Sequence, residues 1–130
     1  MEWDGSNRRR FPRILYPCLV KISSPEQPPS VSLTHTENIG PGGICVILKK
    51  EIKMFTPVEI ELDLIEEARN FTAKGRVVWL VRRKAIESVK PMFYDIGIEF
   101  QDLSPQDKQK LEVAVNKFIQ KGYKILKPVY

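Results

Sequence analysis

The chain has 130 residues, of which 42% are hydrophobic and 28% charged, and these values are typical of one globular domain. Its 21 lysines and arginines exceed its 16 acidic residues, which gives a net charge of +5 at pH 7. This excess is small for an extended DNA-coating surface and favours a localised site for a phosphate-bearing partner. One histidine and two cysteines are too few for an ordinary zinc site, so no metal is expected.

The domain boundaries follow from local composition. Residues 1–7 are polar and are predicted to form a flexible leader, without the apolar stretch of a signal peptide. A single domain is predicted over residues 8–122, and residues 123–130 are assigned to a C-terminal tail. No apolar run approaches the ~20 residues that span a bilayer. We therefore expect a cytoplasmic protein without membrane insertion, whose two cysteines are buried thiols, with a disulfide as the alternative.

Six segments are predicted to be strands. The first covers residues 14–22 and is expected at an edge or bulge, because Pro17 has no backbone N–H. Alternating or β-branched segments predict five more strands, at residues 31–38, 44–48, 58–64, 71–83 and 93–100. Gly75 is predicted to mark a bulge or bend in the long strand. Turn-rich loops without intervening helices favour a small antiparallel barrel or sandwich.

The hydrophobic period changes near the C-terminus, where it predicts one helix over residues 105–121. Ser104 is the expected N-cap, Pro105 suits the first helical position, and Gly122 is a natural stop. The apolar face of this helix is expected to pack on the barrel, through Leu111, Ala114, Val115 and Phe118.

Catalysis has little support in the sequence. His35 stands alone within a predicted strand, and a structural role explains it better than a catalytic one. Glu66 and Glu67 are adjacent in a charged loop, so their side chains do not converge on one substrate. The chain contains no nucleophile elbow, P-loop or dinucleotide fingerprint. We therefore expect a protein that is not an enzyme.

Two motifs point to a ligand. The segment RRRFPR (residues 8–13) contains four arginines, although a solvated arm is the ordinary explanation for such a run. Arginine binds phosphate oxygens bidentately and also pairs with the O6 and N7 edge of guanine. The segment NIGPGG (residues 38–43) is by itself typical of a tight β-turn. Its glycines also permit close approach of a ligand, and the Asn38 amide can read a base edge.

Both motifs resemble those of PilZ domains, the bacterial receptor modules for cyclic di-GMP. RRFPR (residues 9–13) matches the Arg-x-x-x-Arg arm of the family, and Asn38 and Gly43 match its Asp/Asn-x-Ser-x-x-Gly turn. The segments GRVVWL (75–80) and YDIGIEFQDLSPQDKQKL (94–111) resemble later strands and the helix entry, so the resemblance covers most of the chain. It implies a mostly-β fold, a six-stranded antiparallel PilZ-type β-barrel with a C-terminal α-helix.

The resemblance also implies a cyclic di-GMP site. Arg9 and Arg13 would be the main ligands of the nucleotide, with Arg8 and Arg10 in support. Asn38 would contact a guanine edge, and Gly43 would give steric access. In this family the residue before the arm motif, here Arg8, influences whether one nucleotide or a stacked dimer binds.

Two positions leave alternatives open. Trp79 is a candidate ligand-flanking residue, but Val77, Trp79 and Val81 alternate along one predicted strand face, which equally favours core packing. Gly40 stands where the family has serine, so a hydroxyl hydrogen bond is lost, although the Gly40 N–H can still contact the ligand.

Two main functions are therefore considered. The first is a cyclic di-GMP receptor whose Arg arm becomes ordered on binding and which signals in trans to an unidentified downstream protein. The alternative is a PilZ-like adaptor that acts through protein contacts without the nucleotide. A third function, nonspecific nucleic-acid binding, is disfavoured because the aromatic residues are placed mostly as core residues.

Overall fold

A computed structural model of the chain describes residues 13–14, 18–25, 30–63, 71–83, 93–122 and 125–126, with the backbone alone at 13–14 and 125–126. The elements in these residues are eight strands and one helix: β1 (Arg13–Ile14), β2 (Leu19–Ser24), β3 (Ser30–Gly40), β4 (Gly43–Leu48), β5 (Pro57–Leu62), β6 (Phe71–Arg83), β7 (Phe93–Gln101), α1 (Pro105–Gln120) and β8 (Ile125–Leu126).

Strands β2 to β7 form a closed antiparallel barrel. Their order around the barrel is β2-β5-β6-β7-β4-β3, and β3 pairs back with β2 to close the sheet. The short strands β1 and β8 extend the sheet beside the end of β3, where Ile14 pairs with Ile39 and Arg13 with Leu126. The prediction of a six-stranded antiparallel barrel with a C-terminal helix is thus confirmed.

The first predicted strand, residues 14–22, is interrupted in the structure. β1 ends at Ile14 and β2 begins at Leu19, while Cys18 belongs to neither and residues 15–17 lie outside the described residues. The Cys18 N–H donates to the Thr36 hydroxyl at 3.1 Å, and the Thr36 N–H donates to the Cys18 carbonyl at 2.9 Å. Burial raises the pKa of the Cys18 thiol, and both Cys18 and Cys45 are buried free thiols.

The core lies inside the barrel and between the barrel and α1. The inward residues of β5, namely Val58, Ile60 and Leu62, are buried as their alternation predicts, while Leu64 and the pair Glu66 and Glu67 lie outside the described residues. The helix buries the four predicted apolar residues, namely Leu111, Ala114, Val115 and Phe118. Burial of each of the larger side chains stabilises the fold by roughly 1.5–3 kcal/mol. Within the described part of the chain, no helix is long and apolar enough to cross a membrane.

The capping prediction for α1 is also confirmed. The Ser104 hydroxyl accepts a hydrogen bond from the Asp107 N–H at 3.1 Å, and Pro105 occupies the first turn, where a backbone N–H has no helical partner.

A β-bulge in β6 changes which residues face the core. Val77 pairs with Ile98, but the next pair joins Trp79 to Gly97, so Val78 is an extra residue without a partner on β7. Val77 is fully buried inside the barrel, and the bulge turns Trp79 to the outer face.

The predicted common face of Val77, Trp79 and Val81 is therefore wrong. Beyond the bulge, Leu80 pairs with the buried Ile96 and packs against the core, while Val81 is 48% exposed. The indole of Trp79 is half-buried and lies across Gly97. A Cβ on Gly97 would stand 2.6 Å from Trp79 Cδ1 and would collide with Nε1.

Gly75 is not the bulge that the sequence predicted. It pairs regularly with Val58 on one side and Phe100 on the other. A Cβ at this position would stand 2.7 Å from Ile98 Cγ2 and 2.8 Å from Ile60 Cδ1. Gly75 therefore makes room for two core side chains rather than bending the strand.

The turn before β5 holds the backbone next to this bulge. The Phe55 N–H donates to the Val77 carbonyl at 2.7 Å, and the Val77 N–H donates to the Thr56 carbonyl at 3.0 Å. Phe55 adopts a left-handed conformation with φ of 67°, and its side chain is 65% exposed. The turn thus combines backbone strain with two hydrogen bonds to β6.

Replacing Phe55 by glycine is expected to relieve this strain. Left-handed backbone costs a residue with a Cβ about 1–2 kcal/mol, and glycine avoids that cost. Phe55→Ala is the matched control because it removes the same ring and keeps the strain. Urea denaturation should therefore show Phe55→Gly to be about 1 kcal/mol more stable than Phe55→Ala. Equal stability of the two variants would contradict the strained turn.

Gly97→Ala is expected to displace the Trp79 indole. The new methyl group overlaps the ring, and such overpacking costs about 1–3 kcal/mol. The emission of Trp79 is measured in a Trp3→Phe background, because the chain has two tryptophans. Gly42→Ala is the control, since no atom lies within 4 Å of its added Cβ. The Gly97 variant should shift the emission and the control should not, and an unshifted emission in both would refute the stacking.

Candidate functional site

Four residues from the four strands β3, β4, β7 and β6 form a row across the outer face of the barrel. Asn38 pairs with Cys45, Cys45 with Gly97, and Gly97 with Trp79. Directly paired residues of antiparallel strands point to the same face, so all four face outward. Three strand intervals separate the ends of the row, which places the Asn38 and Trp79 backbones roughly 14 Å apart. We call this set the outer row.

Both ends of the outer row are set by bulges. In β3 the register shifts between Thr36, which pairs with Val46, and Asn38, which pairs with Cys45. Glu37 is the extra residue, so Thr36 faces the interior and Asn38 faces outward. Asn38 is only 8% exposed and interacts with another group of the protein.

The predicted glycine turn joins β3 to β4 beside this row. Gly40 pairs with Gly43 across the two residues Pro41 and Gly42. A Cβ on Gly43 would collide with the Ile98 carbonyl oxygen and stand 3.2 Å from Glu99 Cα. The close approach of β4 and β7 therefore requires glycine at position 43. The part of Gly43 and Gly40 in ligand binding stays a prediction.

The backbone brings the end of the arginine motif to the same turn. Ile14 pairs with Ile39, so the backbone of the preceding residue, Arg13, lies beside the Asn38–Gly40 segment. Nothing in the described residues gives the direction of the Arg13 side chain, and Arg8, Arg9 and Arg10 lie outside them. The structure thus places the start of β1 at the glycine turn and leaves the four arginine roles as predictions.

An ion pair flanks the outer row on the side away from the turn. Asp95 lies two residues before Gly97 on β7 and therefore on the same outer face. Its Oδ2 accepts a hydrogen bond from Arg83 Nε at 2.5 Å. Asp95 is 8% exposed, and its Oδ1 is buried without a hydrogen-bond partner among the described residues. The sequence pattern does not indicate this pair, because only the phase after the bulge places Arg83 beside Asp95.

A second arginine borders the row on the side of the turn. Arg76 is exposed and pairs across the sheet with Glu99, which itself pairs with Gly43. Glu99 Oε1 accepts a hydrogen bond from Gln101 Nε2 at 3.0 Å. The sequence motifs do not indicate Arg76 as a site residue either.

A groove of about 470 Å³ lies away from the outer row, against the outer faces of β2, β5 and β6. Its lining contains none of the predicted site residues. Four carboxylates and two lysines contribute to it, namely Glu59, Glu61, Asp102, Asp107, Lys21 and Lys74. This excess of negative charge disfavours a phosphate-bearing ligand there. Within the described ranges, no group of three His, Cys, Asp or Glu side chains could hold a metal ion.

Comparisons with known proteins agree with this fold. Residues 7–117 match the family model described as the PilZ domain. The PilZ domain of YcgR from Escherichia coli, solved with c-di-GMP, superposes with a TM-score of 0.67 at 17% identity, covering 88% of this chain and 93% of that one. The inhibitor of motility MotI/DgrA of Bacillus subtilis gives 0.66 at 20% identity, covering 88% of this chain and 52% of that one.

A third solved structure, the MrkH–c-di-GMP complex of K. pneumonia, gives a TM-score of 0.65 at 17% identity, covering 88% of this chain and 53% of that one. The chain thus spans about half the length of MotI/DgrA and MrkH. Among curated proteins, no sequence matches the chain. The family model covers most of the chain, and the barrel superposes on solved PilZ structures. The chain belongs to the PilZ domain family.

Proposed function

We propose that this chain is a receptor for cyclic di-GMP and that it acts as a binding module rather than as an enzyme. The observation that carries the proposal is the outer row, in which an indole and an amide face outward around a glycine. The fold relatives YcgR and MrkH were solved as complexes with c-di-GMP, which supports the same ligand class here.

The chemistry of the outer row suits a guanine nucleotide. Trp79 offers an aromatic surface, and base stacking on such surfaces contributes about 1–3 kcal/mol per base. Asn38 carries an amide, a group that can both donate to and accept from a base edge, at the buried end of the row. Because Gly97 has no side chain, the Trp79 indole can lie across β7, in the row that ends at Asn38.

The arginines of residues 8–13 supply the charge that the outer row lacks. A cyclic dinucleotide carries two phosphates, and guanidinium groups bind phosphate oxygens bidentately. Arg9 and Arg13 are proposed as the main contacts, with Arg8 and Arg10 in support. The backbone of Arg13 enters the barrel beside the Asn38–Gly40 segment, which favours a phosphate position near the turn.

Signalling is proposed to follow from ordering of the arginine arm. Four positive charges within six residues repel one another until an anionic ligand neutralises them. Binding would then fix the arm over the outer face and create a new surface for a downstream protein in the cytoplasm.

A second function is favoured by one residue. Gly40 has no side chain at the position where the family motif has serine, and a hydrogen bond to a charged partner is typically worth ~1.5–3 kcal/mol. If this loss abolishes binding, the protein acts as an adaptor through protein contacts alone.

Calorimetric titration with cyclic di-GMP tests the receptor. The wild-type protein should bind at micromolar concentration or tighter, about −8 kcal/mol. Arg9→Ala and Arg13→Ala should each weaken binding about tenfold or more, because each removes a charge-assisted hydrogen bond. Lys21→Ala is the matched control, since Lys21 lies on β2, which is opposite β7 in the closed order of the barrel.

The titration has three further readouts. GMP and cyclic di-AMP should give no heat, and the stoichiometry distinguishes one bound molecule from a stacked dimer. Absence of heat with cyclic di-GMP at high excess would overturn the receptor function in favour of the adaptor. Wild-type affinity in both arginine variants would refute the role of the arm.

A further inference from the structure

The outer face of β6 also carries Arg83, close to the outer row. Asp95 lies one outward position from Gly97 on β7, about 7 Å along the strand. Arg83 is four residues beyond Trp79, but its Nε donates to Asp95 Oδ2 at 2.5 Å. This bond brings the guanidinium back along the sheet toward the indole that lies over Gly97.

The Arg83 guanidinium is held at one edge and open at the other. Its contact with Asp95 uses Nε alone, and the terminal nitrogens have no hydrogen bond to any described residue. The Arg83 side chain is 63% exposed, whereas the Asp95 side chain is 11% exposed. A buried carboxylate therefore fixes the orientation of an exposed fork of N–H donors. Such a fork matches the oxygens of a phosphate group.

The neighbouring arginine shows a different arrangement. Arg82 follows the alternation of β6 to the opposite face, where a terminal nitrogen binds Glu51 Oε2. Both arginine side chains are more than half exposed and both have an acidic partner. They differ in the face they occupy, because only Arg83 shares the outer face with Trp79.

We propose that Arg83 contacts a phosphate of cyclic di-GMP bound at the outer row and that Asp95 is the positioning residue for Arg83. This inference rests on the proposed function and adds a phosphate contact outside the arginine arm. The inference also explains why an acidic residue lies beside an anion site, where a carboxylate without a cationic partner would repel the ligand. Paired with Arg83, it orients a positive group instead.

Arginine substitutions test the contact by titration with cyclic di-GMP. Arg83→Ala should weaken binding about tenfold, the loss expected for one charge-assisted contact. Arg83→Lys should recover only part of this loss, because lysine keeps the charge but not the planar fork. Arg82→Ala is the matched control and should change the affinity less than twofold. Thermal unfolding checks that each variant is folded.

The direction in which Asp95→Asn changes the affinity for cyclic di-GMP tests the positioning role of Asp95. If Asp95 were only a nearby negative charge, its removal would strengthen binding of an anionic ligand. If it positions Arg83, the substitution should weaken binding several-fold. In an Arg83→Ala background, Asp95→Asn should then cause no further loss, since the two residues act through one contact.

The outcomes separate this inference from the proposed function. Failure of the wild-type protein to bind would overturn both. Wild-type binding with equal affinities of Arg83→Ala and Arg82→Ala would overturn the Arg83 contact alone. Tighter binding by Asp95→Asn would overturn the positioning role of Asp95 and leave the Arg83 variants to decide the contact.

Discussion

Two β-bulges determine which side chains line the outer face of the barrel. One extra residue in β3 turns Asn38 outward while Thr36 faces the core, and one extra residue in β6 does the same for Trp79 and Val77. Strand side chains alternate with a period of two, so regular ladders would direct Asn38 and Trp79 into the barrel. Because β4 and β7 pair regularly between the bulges, both displaced residues arrive in one row. The candidate site is therefore produced by the irregularities of the sheet.

The sheet around the bulges holds these irregularities in place. Val77, the last residue before the bulge of β6, has both backbone groups bonded to the turn at Phe55 and Thr56, one of which adopts a strained conformation. Glycine is required at two further points, under the Trp79 indole at Gly97 and against the Ile98 carbonyl at Gly43. Backbone strain of the kind seen at Phe55 persists where the surrounding structure fixes it, and it often accompanies functional sites.

The sequence predicts regular periodicity well and interruptions poorly. The alternation of β5 and the helical period of α1 identify their buried residues correctly, because burial repeats in step with the backbone. A bulge leaves no such pattern. The segment VVWLV in β6 is apolar on both faces, so the sequence predicts Trp79 on the same face as Val77. A glycine inside a strand pattern predicts a bulge, but Gly75 makes room for core side chains instead. The sequence does not indicate the contact between Arg83 and Asp95 either, because this contact depends on the shifted phase.

Charge balance on the outer face explains why the arginine arm is central to the proposed receptor. Around the outer row, Arg83 is paired with Asp95, and Arg76 lies opposite Glu99. These groups cancel in sum, so the barrel face alone offers little net attraction to a ligand with two phosphates. The four arginines of residues 8–13 would supply that attraction, and the pairing of β1 with β3 brings the last of them to the glycine turn. In the proposed receptor, ligand binding would therefore depend on docking of the arm. The same dependence would allow a partner protein to recognise binding as a change of surface.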